Sequence, residues 1–150
     1  MIIRRADMTD IPELIEMAET FINESGYAIE YSEDNSRNIF GLYVQQPSYD
    51  ILIGKDEGNL TGGVMVVAST EFQARPFGYV SKFFVKPEHR DARTSRALMS
   101  AMMEWFAVFD VSHVFVTATA GLSERDQRAF ILLMKRAGFK EEGPVMYLER

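Results

Sequence analysis

Residues 79–106 read YVSKFFVKPEHRDARTSRALMSAMMEWF: a strand pattern, a Pro-bearing turn and an amphipathic helix pattern in direct succession. From Phe77 to Val85 aromatic and β-branched residues are dense, and Val80, Phe83, Phe84 and Val85 fit a strand buried on both faces. Pro87 ends that strand. Beyond the turn, Ala97, Leu98, Ala101, Met102, Trp105 and Phe106 recur at the spacing of one helical face. A strand therefore runs into a helix through a short connection.

The connection is rich in cations. Lys82, Lys86, Arg90, Arg93 and Arg96 fall within one short window of a chain that has 16 Lys and Arg in 150 residues, where an even spread would place fewer than two. Glu88 and Asp91 offset part of this charge, yet the window stays positive inside a chain of formal charge −6. Cations near a helix start oppose the macrodipole by roughly 0.3–1 kcal/mol each and are best tolerated where an anionic ligand is cradled. The pattern suggests a phosphate site. A solvated turn whose charges meet only water explains the same residues, and at this point both alternatives stay open.

Composition narrows the class. A chain of 150 residues is expected to form one domain, 1–150, with a substantial core. Charged residues at 25% and apolar ones at 47% are ordinary for a soluble protein, and no apolar run approaches the ~20 residues of a membrane span. No basic and then apolar leader precedes Ile3, so a cytoplasmic location is expected. With no cysteine and two isolated histidines, His89 and His113, a thiolate nucleophile is excluded and a metal site is not expected. A pI near 5.0 argues against nucleic acid as a partner.

Taken in order, Ile2 to Ala6 reads as a first strand, and Asp10 with Pro12 and Glu13 as the start of a helix that stops near Ser25-Gly26. Ser32, Glu33 and Asp34 open a second helix that ends before Pro47, with Gly41 weakening its middle. Asp50 to Lys55 and Gly63 to Ser69 form a hairpin across Asp56 to Asn59, and the central strand follows. After the central helix, His113 to Thr119 is again β-rich, which implies a right-handed crossover between parallel strands. Ser123 caps a last helix with Phe130, Leu133, Met134 and Ala137 inward, Gly138 closes it, and Val145 to Leu148 reads as a final strand.

In that context FFVKPEHRDARTSRAL, residues 83–98, resembles the acetyl-CoA-binding motif of the GNAT N-acetyltransferase superfamily, in which a strand ending V-x-P leads into R-x-x-G-x-G/A and a helix. Val85, Pro87, Arg90, Ala97 and Leu98 stand where the motif wants them, while its two glycines fall on Arg93 and Ser95. AFILLMKRAGF, residues 129–139, matches a second landmark, a late helix ending in G-F. The resemblance implies an α/β fold: a mixed, mostly antiparallel central sheet, helices on both faces, and a splayed parallel strand pair at the cofactor cleft.

The resemblance also implies acetyl-CoA as acyl donor, with its pyrophosphate at Arg90, Asp91, Ala92, Arg93, Thr94, Ser95 and Arg96 and its thioester carbonyl at the backbone of Phe83, Phe84 and Val85. Acetyl transfer needs a neutral amine, a stabilised oxyanion and a proton for the leaving thiolate. The family's usual acid, a Tyr five residues before the G-F phenylalanine, corresponds here to Met134, which cannot donate a proton. Tyr79 and Ser81, on one strand face, are the catalytic candidates, with packing as the competing role. Glu30, Tyr31 and Glu71 are the loop candidates for contact with an acceptor, and for each an ordinary surface role is the commoner outcome. The expected acceptor is a primary amine of a small molecule or a protein, approached across an acidic rim of Glu24, Glu30, Glu33, Asp34 and Glu71. A catalytically silent acyl-CoA-binding or protein-interaction domain of the same fold is the alternative, and a homodimer is left open.

Overall fold

The computed structural model describes residues 1–117, 123–143, 146 and 148–150. Alternating apolar residues build the sheet. In β2 (Tyr49–Asp56) Leu52 faces one side while Ile51 and Ile53 face the other; in β3 (Asn59–Ser69) Val64 and Val66 oppose Met65 in the same way. Both sides are covered, so both sets are buried. The remaining strands are β1 (Ile2–Arg5), β4 (Phe77–Val85) and β5 (His113–Val116), and the sheet order is β1-β2-β3-β4-β5. All neighbouring pairs are antiparallel except β4–β5, which is parallel.

Helices α1 (Ile11–Glu24) and α2 (Glu33–Gln45) cover one face, placing Leu14, Met17, Phe40 and Tyr43 against Ile51, Ile53 and Met65. Helix α3 (Ala92–Val108) and helix α4 (Glu124–Arg136) cover the other, and Leu98, Met102, Trp105 and Phe106 pack with Met134 on Leu52, Val64 and Val80. The expected fold is therefore found: a mixed, mostly antiparallel α/β sheet with helices on both faces. Phe106 is 1% exposed, and its burial contributes about 1.5–3 kcal/mol. Its ring can approach β4 closely because residue 78 is Gly, where an added Cβ would sit 2.5 Å from the ring.

Boundaries differ from expectation where a local interaction outweighs the pattern. β3 starts at Asn59 rather than Gly63, because Glu57 (φ 50°) and Gly58 (φ 80°) make a two-residue turn that pairs Asp56 directly with Asn59. Helix α1 is entered through a one-turn 3-10 helix, Met8–Asp10, capped by Asp7 in a capping box. Asp10 does not cap α1 with its side chain, because its carboxylate is buried and accepts two bonds of 2.8 Å from Arg4, with Lys55 at 3.3 Å. The Arg4 guanidinium, offset in part by burial, holds the Asp10 carboxyl down at about 2. Glu13 meets Lys55 at 2.8 Å and accepts the Leu60 N–H, which ties the start of α1 to the hairpin.

Ser32 caps α2 as expected, and α2 runs unbroken through Gly41. Ser123 caps α4 and Gly138 follows it at φ 99°. The parallel register joins Phe77–Val80 to His113–Val116. Residues 118 and 119 of the expected fifth strand, and 145 and 147 of the expected final strand 145–148, lie outside the described residues, while Met146 and Leu148 are described and not in a strand.

Candidate functional site

The site follows from one irregularity in β4. Met65 pairs with Lys82 and Val66 with Val80, so Ser81 is an extra residue with no partner on β3. Val80 faces α3, and strict alternation would send Lys82 into the same buried core. The bulge instead keeps Ser81 and Lys82 toward α1 and α2, then returns Phe83 and Val85 to the α3 face and Phe84 to the α1 face.

Pairing with β5 ends at Val80–Val116, immediately before the bulge. Beyond it, the outer edge of β4 has no strand partner among the described residues. Lys86 N–H donates to Thr61 O at 2.8 Å, toward β3. By backbone alternation the N–H groups of Phe83 and Val85 face the open edge. Val85 C=O faces it too, accepting Arg90 Nε at 2.9 Å.

A cleft of about 900 Å³ opens along this edge between β4, α3 and α4. Of the residues expected to meet a coenzyme, Phe83, Phe84, Val85, Arg90, Asp91, Ala92, Ser95 and Arg96 line it. Arg93 is exposed and does not line the cleft, and Thr94 is buried at 3% exposure. Arg125 and Arg136 also line it, so four guanidinium groups face two carboxylates, Asp91 and Asp126. These two arginines were not foreseen, although 125, 129, 132 and 136 form one helical stripe on α4.

Arg90 lies at the crossing of these elements. Besides the bond to Val85 O, its guanidinium pairs with Glu24 at the end of α1, approaches Asp126 at 3.8 Å, and sits 5.4 Å over the Phe84 ring. At the start of α3, Asp91 accepts the N–H groups of Arg93 and Thr94, each at 3.0 Å. Those amides hold the Asp91 carboxyl below its ordinary range. The helix N-terminus thus binds an anion without help from glycine, and the anion is its own cap.

On the other side of β4 a cavity of about 330 Å³ lies between α1, α2 and the sheet, and Phe84 lines both spaces. Its walls are mostly apolar. The Tyr43 hydroxyl and Ser81 Oγ are 2.9 Å apart, and Ser81 Oγ donates to Met65 O at 3.4 Å, which leaves the Tyr43 O–H to donate to Ser81. Lys82 Nζ donates to Ser81 O at 3.0 Å. Tyr43 was not foreseen as a site residue. Its place three residues after Phe40 on the inner face of α2 was the available signal.

The other candidates are placed elsewhere. Tyr79 stacks on Phe115 at 5.8 Å and lines neither space. Glu30 and Glu71 are exposed, and Tyr31 spends its hydroxyl on Ile15 O at 3.0 Å. None of Glu24, Glu30, Glu33, Asp34 and Glu71 lines the smaller cavity. Met134 is 6% exposed in the core with α3 and β4 and lines neither space. Among the described residues no cluster of three or more metal-ligating His, Asp or Glu side chains occurs, and no helix is long and apolar enough to cross a membrane.

Comparison with known proteins adds the following. The model of the acetyltransferase (GNAT) family matches residues 13–139, which span both spaces. No curated protein matches the chain in sequence. Solved structures match in fold. A ribosomal-protein-alanine N-acetyltransferase from Brucella melitensis biovar Abortus shares 15% identity over 100% of both chains, with a TM-score of 0.74. An aminoglycoside N-acetyltransferase in complex with CoA shares 14% identity over 99% of this chain and 93% of its own, at 0.78. An aminoglycoside acetyltransferase from an uncultured soil metagenomic sample shares 18% over 99% and 95%, at 0.72.

Proposed function

The chain belongs to the acetyltransferase (GNAT) family, and from that membership we propose that it works as one domain that transfers an acetyl group from acetyl-CoA to a primary amine. One observation carries this proposal: a large cationic cleft and a smaller cavity meet at Phe84, where β4 leaves β5. A donor and an acceptor can thus approach one point from opposite sides of the strand. The acceptors named for the structural neighbours, aminoglycosides and ribosomal-protein alanine, both carry amines.

The residues present suit acetyl-CoA. The cleft has a volume of about 900 Å³, carries a net excess of guanidinium groups, and is lined by residues of the first turns of α3. Arg90, Ser95 and Arg96 would hold the phosphates, with Arg125 and Arg136 opposite on α4. Bound acetyl-CoA supplies a thioester-activated acetyl group.

The chain's own work is positioning and electrostatics. The N–H groups of Phe83 and Val85 donate toward the open edge, where negative charge on a carbonyl oxygen would be stabilised. The Tyr43–Ser81 hydroxyl pair lies on the acceptor side and orients the amine. Among the described residues no side-chain acid stands where the family has its Tyr, at Met134, and we assign that role to solvent. A missing general acid typically costs 10²–10⁴-fold, which positioning can offset.

Burial of Met134 in the core also favours the second reading, a coenzyme-binding domain without turnover. Calorimetric titration with acetyl-CoA tests the shared premise. Saturable binding is expected, and heat that never saturates at millimolar coenzyme removes both readings.

A further inference from the structure

We propose that the acceptor is an apolar amino acid or a close analogue: a primary amine on an apolar body that also carries a carboxylate. This names the substrate class of the smaller cavity and rests on the acetyl-transfer reading above.

The wall chemistry disfavours the cationic acceptors that an acidic rim would have suited. Leu14, Met17, Phe21, Phe40, Met65 and Phe84 give the cavity an apolar wall from both helices and the sheet. Among the described residues no carboxylate lines it. A polyamine or amino sugar would bring several ammonium groups into this space with no anion to meet them, and an unpaired charge taken out of water is strongly penalised. A single amine escapes that penalty, because it must be neutral to react and can donate an N–H to the Tyr43–Ser81 hydroxyl oxygens, whose own hydrogens are already committed.

The charge that does line the cavity is positive. Lys82 is exposed at its edge, beside Ser81, with its ammonium held on the Ser81 carbonyl at 3.0 Å. It stands there because the bulge turned it out of the α3 core. An ammonium next to the hydroxyl pair repels a second cation and attracts a carboxylate. Amine and carboxylate one carbon apart, with an apolar side chain beyond them, satisfy the hydroxyls, Lys82 and the wall together. A volume of about 330 Å³ is at the low end for small-molecule sites, which favours a body of one side chain over a multi-ring one.

The test uses the isotopically labelled full chain, with and without coenzyme A, and follows the backbone amide signals of Gly63, Met65 and Ser81. Leucine or phenylalanine at millimolar concentration should move them, and spermidine should not. Lys82→Met should weaken leucine about fivefold, as expected for an exposed charge pair, and leave isoamylamine, which lacks the carboxylate, within twofold. The proposal is overturned if spermidine moves these signals more than leucine does, or if leucine moves none of them. It is equally overturned if octanoyl-CoA moves them where acetyl-CoA does not, since the cavity would then hold the donor's chain. Thiol release from acetyl-CoA is scored separately: leucine binding without release contradicts acetyl transfer and leaves the cavity assignment standing.

Discussion

Replacing Arg90 by Ala separates a structural latch from a coenzyme contact. In the free protein the side chain makes a 2.9 Å bond to Val85 O, an ion pair with Glu24, a longer approach to Asp126 and a contact over Phe84. The paired groups are a third or more exposed, so each pair contributes about 0.2–1 kcal/mol, with about 1 for the backbone bond and roughly 0.5–1 for the ring. These terms overlap, and a total near 2 kcal/mol is expected, which lowers Tm by about 4–8 °C at this size. Coenzyme binding should fall further. A guanidinium–phosphate hydrogen bond is worth about 1.5–3 kcal/mol, or roughly ten- to hundredfold in Kd. Arg90→Lys keeps the charge but not the fork, so it should recover affinity only in part. Thermal melts and calorimetry on the same samples read both effects. A lower Tm with acetyl-CoA affinity unchanged within twofold would refute the coenzyme role and leave Arg90 as a strut between α1 and α4.

Gly78→Ala would force a methyl to within 2.5 Å of the buried Phe106 ring, and a loss of about 1–3 kcal/mol in urea titration is expected. Asp10 gives a pH signature: its folded pKa of about 2 lies below its ordinary 3.8, so its contribution is complete above about pH 4 and is lost as pH falls toward 2. That contribution is about 2 kcal/mol, and Asp10→Asn should flatten the stability profile over this interval while lowering stability at neutral pH. Tyr43→Phe removes the hydroxyl facing Ser81 and should lower turnover severalfold with acetyl-CoA affinity unchanged, whereas an equal fall in both would place Tyr43 in the packing alone.

The strand–turn–helix unit from Phe77 to Phe106 was legible because each part has its own period and Pro87 divides them. The helix caps at Ser32 and Ser123 were legible for the same local reason. The bulge was not. Val80, Phe83, Phe84 and Val85 look like one apolar run, and nothing local says that Ser81 is extra; that depends on pairing with β3 and on the cost of burying Lys82. The same limit applies to the acceptor side. Tyr43 and Ser81 are thirty-eight positions apart and meet only after α2 packs on the sheet. Glu30 and Glu71 face solvent, and composition does not distinguish a loop carboxylate that faces solvent from one that faces a cavity. Asp10 likewise looks like a cap until the folded chain brings Arg4 and Lys55 to it.

The most direct measurement of the central claim is mass spectrometry of the products formed from acetyl-CoA and a panel of leucine, phenylalanine, isoamylamine, spermidine and lysine, with free thiol counted in the same reaction. The account expects N-acetylated product and coenzyme thiol in equal amounts, formed fastest with the apolar amino acids. Saturable acetyl-CoA binding with neither product nor thiol from any amine would contradict it.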